Sequence, residues 1–409
     1  MESVESFRTR AREWLAEHMP PVDEAALSLL SGDNEQVWPR ARELQRMLYD
    51  GGFAGICFPV EYGGLGLTVD HQRAFNAEAD GYEMPIALNT PTFSICAATL
   101  LDLGTEEQKR EHLAAAIRGD EILCQFLSEP SGGSDLAGLR TKAELDTDVW
   151  VLNGAKTWST FAYAADYALC LARTNWDVPK HRGLTMFLVP TKAPGITMNR
   201  IRMVNGSREF CEEFFDDVRL PLSSVVGEVN NGWAVASRQL HHERNAVGGG
   251  SPYLSGRSPQ RLPDSQTPFA VARALGRSAD PGVRELVGEW LALSAVHHQL
   301  ADRVSRAIAA GQLPPAATSL LRLLGAETVQ LGTDHALRIA GSHASTGVGT
   351  DPGIAGQAGI AYLGRQGTSL GGGSTEMARN IISERLLGMP REYAADRDVP
   401  FKQVKHGHS

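Results

Sequence analysis

The chain has 409 residues, 42% of them hydrophobic and 21% charged, and a formal net charge of −9. That length exceeds one ordinary core and predicts two or three globular domains. The acidic balance offers no basic stripe for nucleic acid, no apolar run approaches the length needed to span a bilayer, and the start MESVESFRTR does not read as a signal peptide.

Taken in order, residues 1 to about 120 read as helical. FRTRAREWLAEHMP places Phe7, Ala11, Trp14 and Leu15 on one face before Pro20 and Pro21 end it. WPRARELQRMLYDGG repeats the pattern and stops at Gly51, and GTEEQKREHLAAAIRGDE is a further amphipathic segment. The middle is rich in β-formers. TKAELDTDVWVLNGAKTWST alternates, with turns expected at Asp148 and at Asn153-Gly154, and DYALCLART, GLTMFLVP and EFCEEFFDDVRL continue the strand signal. From Gly232 helices return, separated by an irregular stretch over residues 248–270, and the last dozen residues read as a loose tail. The five cysteines, at 57, 96, 124, 170 and 211, form no CxxC pair or zinc spacing, which predicts a reducing cytoplasm.

One cluster carries chemistry: HHERNAVGGG, residues 241–250. Adjacent helical side chains point about 100° apart, so His241 and His242 are poorly placed to grip one metal ion, and the HExxH spacing is absent. Trp233, Ala236, Leu240 and Val247 form an apolar stripe, and Glu243 falls on it. A carboxylate there is open to two readings, a desolvated general base or a paired acid at a fraying helix end. Arg244 points elsewhere and suits an anion.

Two further segments supply context. FLSEPSGGSDLAG, residues 126–138, presents hydroxyls and close backbone N–H groups suited to a phosphate or a flavin edge. NGAKTWST follows, with Trp158, Ser159 and Thr160 on a strand, where an aromatic beside hydroxyls can stack on a flat heterocycle. Together with GFAGICFPVEYGGLGL, FFDDVRLPLSSVVGEVNNGW and RNIISERLLGMPRE, these segments resemble the acyl-CoA dehydrogenase family over roughly residues 5–393. Phe126 departs from the family signature, which has a small residue there.

The resemblance implies an α+β fold with a helical N-domain (1–122), a β-barrel-like middle domain (123–229), a C-terminal four-helix bundle (230–393) and a tail (394–409). It implies FAD, with Gln125, Phe126, Leu127 and Ser128 lining the flavin and Ser128 bonding its edge. Trp158 would cover a flavin face with Ser159 beside it, and Thr160 would donate near N5. Ser134 matches the position touching the CoA chain. Arg338 and Gly341, in RIAGS, match an altered flavin-contacting loop, and Ser374 and Glu376 complete the set. The usual catalytic glutamate position reads Gly372 in LGGGSTEMAR, so only its backbone N–H remains to stabilise an enolate. A subgroup that includes isovaleryl-CoA and bacterial steroid side-chain dehydrogenases carries the base in an ER motif on an earlier helix, which matches Glu243 and Arg244.

The resemblance further implies an acyl-CoA substrate, electron-transfer flavoprotein as acceptor, and a homotetramer or an α2β2 heterotetramer. Three alternatives share the fold: an acyl-CoA oxidase, a flavin monooxygenase, and a non-catalytic subunit of a heteromeric dehydrogenase. Reduced enzyme in an oxygen electrode separates the first two from a dehydrogenase, and a colourless protein would mark the third. GTSLG, residues 367–371, fits the G-x-S-x-G pattern without the βα alternation that the nucleophile elbow needs.

Overall fold

In the computed structural model, residues 2–22, 35–247, 250–256, 267–345 and 353–404 are described. They form two compact units: residues 1–202 with 207–259 and 394–409, and residues 203–206 with 260–393.

The first unit begins with helices Val4–His18, Val37–Asp50 and Val69–Glu78. Phe7, Ala11 and Leu15 are buried as their spacing predicts, while Trp14 is half-buried against Phe53. Ile86–Leu103 follows as a helical run long and apolar enough to cross a membrane, which corrects the reading that no run approaches that length. Of this run 67% is buried inside the unit, the position of a core helix.

Eight strands follow: β1 (Leu123–Phe126), β2 (Lys142–Asp146), β3 (Val149–Thr160), β4 (Tyr167–Arg173), β5 (Leu184–Pro190), β6 (Ile196–Arg200), β7 (Phe210–Pro221) and β8 (Val225–Val226). They form one sheet in the order β6-β7-β3-β2-β4-β5-β8, and β1 pairs in parallel with β4. The expected turn at Asp148 joins β2 to β3. The turn expected at Asn153-Gly154 is absent: β3 runs through it with a shift of register against β7. Gly154 has φ +146°, and a Cβ there would come within 2.7 Å of Thr141. The Asn-Gly pair thus makes a bulge where two strands approach closely, a use that local turn propensity does not distinguish from a hairpin.

Helix Gly232–Val247 belongs to this unit too. The described part of the tail, through residue 404, returns to it rather than hanging loose. The Phe401 N–H donates to Val178 O at 2.9 Å, and the Lys402 N–H to Trp176 O at 3.0 Å. Phe401 is buried, with the Arg173 guanidinium 3.6 Å from its ring centre. Arg173 is itself buried and donates to the carbonyls of Ala137, Leu139 and Lys180, while burial lowers its pKa to about 10. Lys180 ties Asp135 to Asp396 at 2.9 and 2.7 Å.

The second unit comprises helices Pro268–Ala274, Pro281–Ala309, Thr318–Ala340, Gly353–Gly364 and Thr375–Ile381. One of its cores is built largely from small residues, among them Ala272, Ala336, Ala340 and Ala358. Of the stretch expected to be irregular, Pro268–Ala274 begins inside it, and residues 257–266 lie outside the described residues.

Phe401→Ala should cost about 3 kcal/mol by loss of a buried ring. Urea unfolding of the full chain checks this, and a midpoint within error of wild type would show that the tail does not stabilise the first unit.

Candidate active site in the first unit

The site rests on one helical run that touches both of its sides. Thr92 Oγ1 donates to Leu123 O at 3.0 Å and accepts from the Leu123 N–H at 3.1 Å, which stitches Ile86–Leu103 to β1. At the other end of the run, Asp102 bonds His242 Nε2 at 2.8 Å and pairs with Arg238. Burial alone would raise the Asp102 carboxyl, but these two partners hold it below its ordinary value. Strand β1 and helix Gly232–Val247 are thereby held in register, and Gln125 Nε2 donates to Glu243 Oε2 at 3.2 Å. The predicted flavin-lining residue and the predicted base are in direct contact.

The buried face of that helix differs by about one residue from the expected stripe. Val235, Ala236, Gln239 and His242 are buried, whereas Trp233, Leu240 and Glu243 are half-buried. The side chain of Val247 lies outside the described residues. Glu243 therefore sits at the edge of the apolar face, where a carboxylate is partly desolvated but still reachable. Its charge is felt indoors: Cys96, fully buried, has its thiol pushed well up by burial and then by Glu243. Arg244 is half-buried one position on. His241 and His242 diverge, the first 3.1 Å from Asn245 Nδ2 and the second bonded to Asp102. Burial and the Arg238 charge depress the His241 pKa.

From Gln125 the chain continues to the strand that bears Trp158. Phe126 is fully buried, edge-on to Phe215 at 5.7 Å, so its side chain belongs to the core and only its backbone remains for a ligand. Leu127 is also buried, and its carbonyl accepts from Lys156 Nζ at 2.9 Å. Ser128, half-buried, accepts the Thr157 N–H at its carbonyl at 3.0 Å. Ser134 is exposed in the loop that Lys180 holds through Asp135.

Trp158 is 52% exposed and has φ +64°. The β3–β7 register shifts between Thr157 and Ser159, leaving Trp158 as the extra residue of a bulge. A bulky side chain held at positive φ costs about 1–3 kcal/mol and persists only where the surrounding structure holds it. Thr160 is half-buried at the strand's end. Ser159 is buried, and its hydroxyl donates to Glu213 Oε2 at 2.8 Å, so its side chain faces the sheet interior and only its backbone remains for a ligand.

The residues that sequence reasoning missed lie beneath. Lys156 has no exposed surface and pairs with Glu129 at 3.0 Å. Burial would raise Glu129, but Lys156 and the backbone N–H groups of Arg140 and Thr141, at 2.7 and 2.8 Å, hold it below its ordinary value. Glu213 is fully buried too, and burial pushes it up to about 8. One signal pointed to it: Cys211, Glu213 and Phe215 share the parity of an inward face, and all three are buried.

The second unit holds the remaining predicted residues. Gly372, half-buried at φ +71°, follows Gly371, whose carbonyl accepts from Arg322 Nη2 at 2.6 Å. Ser374 caps helix Thr375–Ile381 by accepting from the Met377 N–H at 3.2 Å, and Glu376 is exposed. Arg338 and Gly341 are exposed at the end of Thr318–Ala340. GTSLG lies in and just after a tight helical turn, Arg365–Ser369, not at a strand's end.

Glu213 sets a pH signature. Its folded pKa, about 8, lies above its ordinary 4.5, so its contribution is fully present below 4.5 and is lost as pH rises through 8. Relative to Glu213→Gln, wild type should therefore lose stability across that window, by roughly 5 kcal/mol at most. Parallel unfolding curves from pH 5 to 9 check it, and a constant difference would mean Glu213 is ionised throughout.

Comparison with known proteins identifies the family. The chain matches the acyl-CoA dehydrogenase N-terminal domain over residues 1–120, the middle domain over 124–218 and the C-terminal domain over 230–387. It is 34% identical to the acyl-CoA dehydrogenase IpdE1 of Mycobacterium tuberculosis, over 96% of this chain and 99% of that protein. Among solved structures it resembles the Tcur3481-Tcur3483 steroid acyl-CoA dehydrogenase, with a TM-score of 0.74 and 28% identity over 96% of this chain and 99% of that one. It also resembles the ChsE4-ChsE5 complex of Mycobacterium tuberculosis, with a TM-score of 0.68 and 27% identity over the same shares. Members of this family are FAD-dependent flavoproteins. The helical N-domain, the middle β-sheet domain and the helical C-domain all match, and the chain belongs to the acyl-CoA dehydrogenase family of oxidoreductases.

Proposed function

We propose that the chain binds FAD and catalyses α,β-dehydrogenation of a bulky, steroid-derived acyl-CoA thioester to the 2,3-enoyl-CoA, with Glu243 as the base. The observation that carries this is the 3.2 Å bond from Gln125 Nε2 to Glu243 Oε2, which sets a carboxylate against the strand that leads into the Trp158 wall. The residues fit the cofactor: a half-exposed indole on a strained bulge beside the half-buried Ser128 and Thr160 is what a flat polar heterocycle needs. Gln125, Ser128, Trp158 and Thr160 would hold it, and bound FAD supplies the hydride acceptor. Glu243 takes the α-proton of the thioester, its orientation fixed by Gln125 and its helix anchored through Asp102. The Gly372 N–H is our assignment for a donor to the thioester oxygen. Its φ of +71° suits glycine. Arg244 and Ser134 are assigned to the CoA moiety.

The steroid-derived acyl group rests on the steroid dehydrogenase among the similar structures, and on the space freed where Gly372 replaces a glutamate. That structure and the ChsE4-ChsE5 complex both name two different chains, which supports an α2β2 heterotetramer over a homotetramer. Electron-transfer flavoprotein is the proposed acceptor. The five cysteines are all free and four are buried, in keeping with the cytoplasm as the proposed compartment.

Glu243→Gln should retain FAD yet lose bleaching by acyl-CoA under anaerobic titration, the rate falling by a factor of about 10²–10⁴ or more. Ordinary bleaching in that variant would place the base elsewhere. A panel of straight-chain and steroid-derived acyl-CoAs, titrated into wild type, tests the substrate class: fastest bleaching by straight chains would refute it.

A further inference from the structure

Two-residue alternation on β3 ought to send Trp158 inward. Lys156 has no exposed surface, and residues two apart on a strand share a face. The structure shows the opposite, because the register shift inserts one residue: Thr157 pairs with Glu212, Ser159 with Cys211, and Trp158 has no partner on β7. The bulge turns Lys156 and Ser159 inward together and Trp158 out. Glu213 is the cross-strand partner of Lys156 and faces the same interior, and it alone among the described residues is seen to receive the Ser159 hydroxyl, at 2.8 Å.

We propose that Glu213 is a positioning residue for the flavin wall, gripping Ser159 Oγ from beneath the sheet and so holding the bulge that presents Trp158. The charges around it allow a neutral acid to do this. Lys156 is already paired with Glu129, Glu212 lies next along β7, and the thiols of Cys124, Cys170 and Cys211 share the buried side. A protonated carboxyl still accepts the hydroxyl through its carbonyl oxygen, and glutamine offers the same acceptor. Leucine fills the volume but accepts nothing. Glu213 Oε1 has no partner, so removing the carboxyl strands no second group apart from Ser159.

This inference rests on the reading that Trp158 covers the flavin, and the experiment separates the two. FAD affinity, quenching of flavin fluorescence and melting temperature are measured on the purified holoenzyme for Glu213→Leu, Glu213→Gln, Ser159→Ala and Trp158→Phe. Glu213→Leu and Ser159→Ala should each weaken FAD binding about tenfold and relieve quenching, while Glu213→Gln restores both to wild type. Melting of Glu213→Leu should hold or rise, since a buried acid has been replaced by an apolar group, whereas a merely structural role would lower melting and affinity together. Should Glu213→Leu fail to fold, Ser159→Ala carries the same expectation. If Trp158→Phe changes the flavin signal and Glu213→Leu and Ser159→Ala do not, the positioning role is overturned and the flavin wall stands. A flavin unaffected by Trp158→Phe overturns both. Failure of Glu213→Gln to rescue overturns the positioning role.

Discussion

Lys156 has no contact with solvent, and a buried ammonium persists only where its charge is met and its donors are used. Glu129 supplies the charge and Leu127 the carbonyl. Both acceptors lie in the segment that runs from Gln125 to the Ser-Gly-rich loop, so one cation ties that loop to β3 two residues before Trp158. Removing Lys156 would leave the Glu129 carboxylate buried and unpaired, so the pair is costly to break from either side. The rest of the first unit is arranged about that tie. Thr157 continues it by donating to the Ser128 carbonyl, and the Ile86–Leu103 run holds β1 and the Glu243 helix from the other side. Residues separated by more than a hundred positions thus converge through a few charge-assisted hydrogen bonds set in an apolar core.

The site has two layers of different chemistry. The outer one, with Gln125, Ser128, Trp158, Thr160 and Glu243, is half-buried or exposed and made of groups that can meet a ligand. The inner one, with Glu129, Lys156, Ser159 and Glu213, is buried and satisfies itself almost completely. Strain in the outer layer, the positive φ of Trp158, is sustained by hydrogen bonds in the inner one.

The outer layer could be named from the sequence because its residues sit in motifs that resemble a known family; helical phase put Glu243 on the buried stripe, and the structure sets it at that stripe's edge. The inner layer was not, because its meaning depends on pairing. Glu213 in FCEEFFDD looks like one of several acids on an alternating strand until the partner strand shows which parity is indoors. Asn153-Gly154 carries a strong local hairpin signal, yet tertiary pairing with β7 overrides it and makes a bulge. The inward turn of the Ser159 side chain was hidden for the same reason, since a one-residue insertion reverses which face a side chain takes. The first helix, by contrast, needed only its own 3.6-residue period, and Phe7, Ala11 and Leu15 came out as read. The tail was opaque because a single aromatic among polar residues gives no periodicity, and Phe401 finds its place only against the far-off Arg173.

That return of the tail has a consequence for how the polypeptide matures. Residues 394–404 complete the layer around Arg173, yet they emerge after the whole helical insert of residues 260–393. A chain growing from its N-terminus can assemble the sheet early, but the guanidinium beneath the Ser-Gly-rich loop waits for its aromatic cover until Phe401 has followed the second unit out. The insert is then closed at both ends on the body that preceded it, a loop whose entropic cost grows only slowly with length. The turn Phe401–Gln403 is thus the fastening on a sheet whose first strand began at Leu123.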